Sequence, residues 1–261
     1  MNTDLQSKIE NNGDNEEILE QHVINLWQPF TFKATKDYDY LRRGVLKRAS
    51  NFIMRLIVFL TLNIYNRLVF GLRIEGGNNL KEVKDKGYIL ISNHVHTNDC
   101  TFIDCLLPFK RIYYATLETN FQIPIVRHLI RVLNAVPIPS SVHIMKIFLD
   151  NMAKAISYKN VICMYPECYL IPYYKGVRKF KKGAFKMAVN NNCPIVPMVV
   201  TFREQKVLYR YLKRKPCITV SILEPVYPKP DESDNNNKAS IELMEKCHSM
   251  MKQAADLKYI K

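Results

Sequence analysis

The chain has 261 residues, 48% of them hydrophobic, and a formal net charge of +14. This length suits one large domain with or without an appendage, and the apolar fraction is enough for a sizeable core. The charge predicts an anionic partner, which is nucleic acid, an anionic membrane or a phosphorylated substrate. Seven cysteines are scattered without a CxxC pair and no signal peptide is evident, so reduced thiols in the cytosol are predicted rather than a disulfide framework.

Composition divides the first 70 residues into two regions. Residues 1–39 form a polar tail and an aromatic segment, and residues 40–70 predict one long helix or two. The second region is nearly long enough to span a bilayer, which takes ~20 apolar residues. Its interrupting polar residues fall near one side of a helix: Arg48, Asn51, Arg55 and Asn66. This pattern is typical of a membrane-surface helix with a basic stripe, and also of an amphipathic helix packed on a core.

Strand-like and helix-like segments alternate through the remaining domain, residues 71–261. Apolar or alternating runs predict strands, and these lie at residues 72–75, 88–91, 111–115, 135–138, 161–164, 195–201 and 218–223. Helical periods separate most of them. The alternation predicts an α/β fold, with a mixed, mainly parallel sheet flanked by helices and preceded by an amphipathic, membrane-associating helical region. Pro197 predicts that its strand lies at a sheet edge or contains a bulge.

A polar turn follows the strand at residues 88–91 and leads into a helix that Asp99 can cap. His94 and Asp99 stand at the two ends of this turn, at the carboxyl end of a strand, where open α/β sheets bind ligands. Imidazole titrates near neutrality, so it can take a proton from a hydroxyl while a carboxylate orients it. A surface histidine beside a helix-capping aspartate accounts for the same spacing.

A second polar turn follows the strand at residues 161–164 and carries Glu167. If the two strands are parallel, Glu167 lies at the same sheet edge as His94. The loop that follows is strongly basic and ends at Gly183, before a helix whose N-terminus favours anions. Its basic residues are Lys175, Arg178, Lys179, Lys181 and Lys182. The loop is therefore a candidate phosphate site, and a solvated loop beside a structural glutamate is the alternative.

Four stretches together resemble the lysophospholipid acyltransferase superfamily, typified by 1-acyl-glycerol-3-phosphate acyltransferases. The run NHVHTND at residues 93–99 is similar to the family's first motif, N-H-x-x-x-x-D, and YPE at residues 165–167 to its aromatic-Pro-Glu motif. FKKGAF at residues 180–185 and PIVP at residues 194–197 are similar to the elements that follow. The resemblance covers residues 72–223, with the motifs in the family's order.

Two departures from the family pattern concern phosphate binding. The family usually has Gly after Pro-Glu and often Thr-Arg next, where this chain has Cys168, Tyr169 and Leu170. Its second motif commonly ends in an arginine, but Pro139 follows Ile138 here. Lysines of the basic loop do not reproduce the bidentate geometry of a guanidinium. The resemblance therefore leaves the acceptor head group open.

The resemblance implies an enzyme of phospholipid synthesis at the cytoplasmic face of a membrane. It would transfer a fatty acyl group from acyl-CoA or acyl carrier protein to the hydroxyl of a lysophospholipid, with 1-acyl-glycerol-3-phosphate as the expected acceptor. His94 would be the base and Asp99 would orient it, while Asn93, Glu167 and the basic loop through Gly183 would bind substrate. The thioester is a co-substrate, and neither a cofactor, a metal nor nucleic acid is expected.

Three alternatives stay open. The chain can be a catalytically weak membrane-binding protein that keeps the fold, or an acyltransferase with another lysolipid acceptor. His94 and His96 can also be a pair of metal ligands, although no later histidine has ligand spacing. Nucleic-acid binding rests on the net charge alone, without a recognisable motif.

Overall fold

The computed structural model describes residues 31–42, 44–124, 126–205, 216–229 and 236–259. The polar tail expected at the N-terminus lies outside these ranges, up to residue 30. Within these ranges, seven strands form one sheet: β1 (Arg73–Glu75), β2 (Tyr88–Ser92), β3 (Ile112–Leu117), β4 (Ala135–Ile138), β5 (Val161–Met164), β6 (Ile195–Arg203) and β7 (Cys217–Ile222).

The sheet has the order β1-β7-β6-β2-β5-β3-β4. Strands β2 to β6 are parallel to one another, β7 pairs antiparallel with β6, and β1 pairs parallel with β7. The predicted mixed, mainly parallel sheet is confirmed. Its helices are α1 (Val45–Phe70), α2 (Asp99–Leu106), α3 (Val126–Val132), α4 (Val142–Ser157), α5 (Gly183–Asn190) and α6 (Asn236–Tyr259), with 3-10 turns at Gly77–Lys81 and Glu118–Gln122.

Side chains of β2 alternate between two hydrophobic clusters, one on each face of the sheet. Ile89 and Ile91 pack in the cluster that includes α4, α5 and α6. Tyr88 and Leu90 pack in the other cluster, with α2 and the end of α1. Every residue of β2 is buried, which is expected of a central parallel strand covered on both faces. The carboxyl end of β2 is therefore held firmly where the first polar turn begins.

Pro197 does not lie in an edge strand, because β6 lies between β2 and β7. The other predicted setting, a bulge, fits the pairing, since two residues separate Ile195 from Met198 while three separate their partners Val226 and Ile222. Ile195 exchanges both backbone hydrogen bonds with Val226, and the ladder to β7 begins only at Met198 opposite Ile222. The Pro197 nitrogen falls between these two pairings, so no ladder hydrogen bond is lost.

Helix α1 presents its polar side to the domain rather than to solvent. Asn51, Arg55 and Asn66 are all buried. The Arg55 guanidinium donates to the carbonyl of Leu107 at 2.8 Å and forms an ion pair with Asp104 at 3.2 Å. The expected basic stripe therefore does not face a membrane through these residues. Of the four residues assigned to that stripe, Arg48 is exposed.

The side-chain bonds of α1 explain this orientation. Asn66 donates to Thr101 Oγ1 at 3.1 Å, and Asn51 accepts from the Asn134 amide at 3.1 Å. A buried polar group costs free energy unless it is hydrogen-bonded, and these partners lie on α2 and beside β4. The opposite side of α1 is apolar and exposed along its length: Phe52, Ile53, Leu56, Ile57, Leu60, Ile64 and Leu68. By length and composition, α1 is one helix that could cross a membrane.

Candidate active site

The polar turn at residues 93–99, hereafter the His94 turn, begins with Asn93, whose side-chain amide makes the hydrogen bonds that a strand backbone would make. Asn93 Oδ1 accepts the Val200 N–H at 2.8 Å, and Asn93 Nδ2 donates to the Val200 carbonyl at 2.9 Å. The amide thereby extends the pairing of β2 with β6 past the end of the strand. Asn93 is fully buried, so its contacts fix the position at which the turn leaves the sheet.

His94 and Asp99 meet across the turn. His94 Nδ1 lies 2.9 Å from Asp99 Oδ2. The His94 side chain is 24% exposed, whereas the Asp99 side chain is 0% exposed. With Asp99 ionised, Nδ1 carries the ring proton and donates it, which leaves Nε2 as the nitrogen that can accept a proton. The pair has the geometry of a base and its orienting carboxylate.

Asp99 is the first residue of α2, but its carboxylate does not cap that helix as expected. Asp99 Oδ2 instead accepts the backbone N–H groups of Val95 at 2.9 Å and His96 at 3.0 Å. Burial raises the pKa of the Asp99 carboxyl above its ordinary value, while the hydrogen bonds from His94 and from these two N–H groups act in the opposite direction. One oxygen thus holds both the backbone of the turn and the imidazole.

The Tyr165 ring packs against one face of the His94 imidazole. The rings of His94 and Tyr165 stack, with centroids 4.2 Å apart and planes 21° apart. Burial raises the pKa of the Tyr165 hydroxyl well above its ordinary value, so the ring is a neutral platform. The aromatic position of the YPE motif therefore has a clear role here, which the spacing of the motif did not predict.

Glu167 and Arg178 form a buried ion pair that holds the His94 turn. Glu167 Oε2 accepts the His94 backbone N–H at 3.0 Å and the Arg178 guanidinium at 2.7 Å, and Oε1 accepts the Arg178 backbone N–H at 2.8 Å. The Arg178 guanidinium also donates to the carbonyls of His94 and Tyr169. The Glu167 and Arg178 side chains are only 0% and 9% exposed. Both were expected to bind substrate, yet the contacts found here are with the protein.

The lysines of the basic loop, residues 175–182, are placed differently from Arg178. The side chains of Lys175, Lys179, Lys181 and Lys182 are exposed, and Gly183 begins α5 as expected. The backbone N–H of Lys181 donates to the Pro166 carbonyl at 2.8 Å. This bond keeps the loop beside the YPE turn. The structure therefore brings His94, Asp99, Glu167 and Arg178 into one network and leaves the lysines around its outside.

His96 is a packing residue of the turn. It is 5% exposed, its Nδ1 accepts the Asn98 N–H at 3.1 Å, and its ring meets Phe70 edge-on at 4.8 Å. Phe70 is the last residue of α1, so this contact ties the helix to the turn. Within the described ranges, no group of three His, Cys, Asp or Glu side chains is placed to hold a metal ion.

Cys168 occupies a backbone conformation that explains the family's usual glycine. Its φ is +66°, in the left-handed region that residues with a Cβ rarely adopt. Cys168 follows Glu167 directly and its N–H donates to the Tyr165 carbonyl at 3.0 Å, closing the tight turn that aims Glu167 at the His94 turn. Cysteine fills this position at a cost in strain.

The fold and the site thus define an α/β protein with a histidine–aspartate pair at the carboxyl edge of a mainly parallel sheet. A sequence model of the family described as Acyltransferase matches residues 71–201, which hold the whole network. The chain belongs to the acyltransferase family, and the resemblance to the lysophospholipid acyltransferase superfamily is confirmed.

A solved structure supports the fold. The crystal structure of the 1-acyl-sn-glycerophosphate (LPA) acyltransferase PlsC from Thermotoga maritima superposes with a TM-score of 0.51 at 19% sequence identity. The alignment covers 81% of this chain and 84% of that one. At this identity the similarity bears on the fold alone. Among curated protein sequences no match was found.

Proposed function

We propose that this acyltransferase moves a fatty acyl group from an acyl thioester, on coenzyme A or acyl carrier protein, to the hydroxyl of a lysophospholipid. The reaction would belong to phospholipid synthesis, with 1-acyl-glycerol-3-phosphate as the acceptor. The observation that carries the proposal is the 2.9 Å contact between His94 Nδ1 and the buried Asp99 carboxylate, because it leaves Nε2 of a partly exposed imidazole as a base.

The proposed reaction has two proton transfers and no covalent acyl-enzyme intermediate. His94 takes the proton of the acceptor hydroxyl, and the oxygen forms a bond to the thioester carbonyl carbon. The carbon–sulfur bond then breaks, and the thiolate leaves with the proton that His94 returns. Asp99 stabilises the imidazolium in between, and that imidazolium in turn favours the carboxylate form of Asp99. A base positioned in this way is worth ~10²–10⁴ in rate.

We propose that the Glu167–Arg178 ion pair acts as a brace, meaning that it holds the His94 turn in position, and that the exposed lysines bind substrate. The first role follows from the hydrogen-bond donors that occupy both carboxylate oxygens of Glu167. Lys179 and Lys182 stand on the exposed side of the basic loop, where a phosphate on the acceptor or on coenzyme A would meet positive charge. Direct contact of Glu167 with the acceptor stays a prediction.

A bilayer contact through α1 is part of the proposal. The helix has 26 residues, about 39 Å at 1.5 Å per residue, and its exposed side is apolar from Phe52 to Leu68. Because its polar side is bonded to α2 and to the Asn134 side chain next to β4, we place α1 along the membrane surface with its apolar side immersed. Lysolipids reach the enzyme from that surface. A cytoplasmic location accords with cysteines that form no disulfide in the structure.

The bilayer contact is tested by Leu60→Glu, which puts a charge in the middle of the exposed apolar side. Co-sedimentation with phospholipid vesicles should fall sharply, while the melting temperature changes little because Leu60 is 56% exposed. Leu257→Glu is the matched control, since Leu257 is 60% exposed on α6. Equal vesicle binding by both variants and the parent protein would contradict the placement.

The activity is tested with a panel of lysolipid acceptors, each combined with an acyl-CoA and an acyl carrier protein donor. Products are identified by lipid mass spectrometry. We expect 1-acyl-glycerol-3-phosphate to give the highest kcat/KM. Preference for a lysolipid without a phosphate monoester would favour the alternative acceptor, which the absence of the family's Thr-Arg after Glu167 already allows. No acyl transfer to any acceptor would favour a membrane-binding protein that retains the fold.

A further inference from the structure

A cavity of about 450 Å³ opens where α1 ends and β1 begins. This volume lies within the range of about 300–1,000 Å³ that is usual for small-molecule sites. Three of its lining residues are Arg67, Arg73 and Arg203, and none of the described residues that line it is acidic. Like charges gathered around one cavity repel each other, and an anion between them removes that cost.

The arginines come from three different elements. Arg203, at the end of β6, donates from Nε to Thr219 Oγ1 at 3.2 Å and from Nη2 to the carbonyl of Gly71. These bonds use two of the five N–H donors of the guanidinium and fix its plane. Arg67 donates to Asn63 Oδ1 at 2.8 Å, and Arg73 is exposed at the start of β1.

Stabilisation of the C-terminal end of α1 accounts for some of the three arginines. Cations are favourable near the C-terminal carbonyls of a helix, and Arg67 lies in the last turn of α1 while Arg203 bonds the carbonyl of its C-cap residue, Gly71. That role accounts for two of the arginines. The C-terminus of a helix carries only about half an elementary negative charge, so three guanidinium groups beside it, including that of Arg73, leave an excess of positive charge that an anion can balance.

We propose that this cavity, hereafter the arginine cavity, binds the phosphate of an anionic phospholipid in the membrane. Guanidinium groups match phosphate geometry through paired N–H donors. Exposed apolar side chains lie on the same end of α1 as Arg67, since Ile64 and Leu68 in its last two turns are 63% and 67% exposed. A ligand with a phosphate and adjoining acyl chains fits both features, whereas a soluble phosphate uses only the first.

The arginine cavity lies beside the His94 turn. Val200 on β6 exchanges hydrogen bonds with the Asn93 side chain, and Arg203 lies three residues further along that strand, about 10 Å at 3.3 Å per residue. None of the described residues that line the cavity belongs to the network of His94, Asp99, Glu167 and Arg178. We therefore assign the cavity to a membrane lipid, and a raised acceptor KM in the turnover measurement below would assign it to the acceptor instead. The inference rests on the proposed contact of α1 with a bilayer, because that contact brings the cavity to the level of the head groups.

The test compares Arg67→Gln/Arg73→Gln with the parent protein in co-sedimentation with two kinds of vesicle, phosphatidylcholine alone and phosphatidylcholine containing phosphatidic acid. Each basic residue near an anionic membrane is worth about fivefold in affinity, so the double variant should lose about 25-fold on the phosphatidic acid vesicles. Binding to phosphatidylcholine alone should be unchanged. Both residues are exposed, so the variant should fold normally.

The matched control is Lys154→Gln/Lys252→Gln, which removes the same charge from exposed positions on α4 and α6. It should bind both vesicles like the parent protein. Equal losses in the two double variants would mean general electrostatics, and no loss in the arginine variant would mean that the arginines only stabilise the helix end. Either result overturns the proposal.

Two further measurements separate the remaining explanations. Added glycerol 3-phosphate should not release the protein from phosphatidic acid vesicles, and full release would assign the cavity to a soluble phosphate ester instead. Turnover of a detergent-dispersed acceptor should be equal in the arginine variant and the parent. If the parent itself shows no turnover, the proposed reaction fails, while the vesicle comparison still decides the lipid site.

Discussion

Replacing Arg178 by methionine removes the guanidinium that ties Glu167 to the His94 turn. Removing one partner of a buried ion pair costs about 3–5 kcal/mol, because the other charge is left uncompensated. Glu167 keeps its bonds to the backbone N–H groups of His94 and of residue 178, so we expect the lower end, about 3 kcal/mol. In a domain of this size that lowers the melting temperature by roughly 6–12 °C.

The same substitution should slow turnover, because the guanidinium also donates to the His94 carbonyl at 3.3 Å. A displacement of ~1 Å in a catalytic group can cost ~10² in rate. The assay is the initial rate of thioester consumption, measured well below the melting transition, together with thermal melts. Lys179→Met, at an exposed neighbouring position, should change the melting temperature by only about 1–2 °C. An Arg178→Met enzyme that keeps its stability and kcat but has a higher acceptor KM would refute the brace and make Arg178 a phosphate ligand.

Three other substitutions test separate parts of the site. Asp99→Asn should lower kcat by ~10²–10⁴ with little change in acceptor KM, because an amide can hold the wrong imidazole tautomer and cannot balance imidazolium charge; near-parental initial rates would contradict this. Replacing Lys179, Lys181 and Lys182 together by glutamine should raise KM for a phosphate-bearing substrate more than it lowers kcat, and unchanged kinetics would show a loop that is only solvated. Cys168→Gly should raise the melting temperature by about 1–4 °C, because it relieves about 1–2 kcal/mol of left-handed backbone strain and loses roughly 0.5–1 kcal/mol to glycine's greater freedom when unfolded, a net gain of about 0.5–1 kcal/mol; a lower melting temperature would contradict that reading.

The sheet could be predicted from the sequence because its central strands are uniformly apolar and short. Residues 88–91 and 161–164 read as buried strands and are neighbours in the sheet, as β2 and β5. Strand order is a different matter, since it depends on contacts between distant segments. Pro197 suggested an edge or a bulge, and only the register of β6 against its partners shows that the strand is interior and that the pairing shifts by one residue there.

The orientation of α1 could not be predicted either. Periodicity shows that polar residues share one side of the helix, but it does not say which side meets the domain. Arg55 looked like part of a membrane-facing stripe, whereas Asp104 and the Leu107 carbonyl, about fifty residues away, bind it inside. A polar stripe has the same sequence periodicity whether it is exposed or buried. Only its hydrogen-bond and ion-pair partners in the folded domain show which side of the helix faces inward.

The spacing of His94 and Asp99 predicted their proximity correctly, since a turn of four intervening residues brings its ends together. Contacts between side chains from two different loops were harder to predict from the sequence. The pairing of Arg178 with Glu167 joins residues eleven positions apart across an irregular loop, so the arginine was grouped with the lysines by charge. The aromatic residue of the YPE motif was the available signal for the stacking of Tyr165 on His94.

The role of His94 as the catalytic base is tested most directly by the initial rate of thioester consumption in His94→Ala, with His96→Ala as the matched control. We predict a fall of ~10²–10⁴ for His94→Ala with little loss of stability, because the histidine is partly exposed in a turn. His96→Ala should lose stability through its buried contacts with Phe70 and Tyr173 but keep substantial turnover. Near-parental turnover in His94→Ala, together with an inactive but folded His96→Ala, would contradict the assignment.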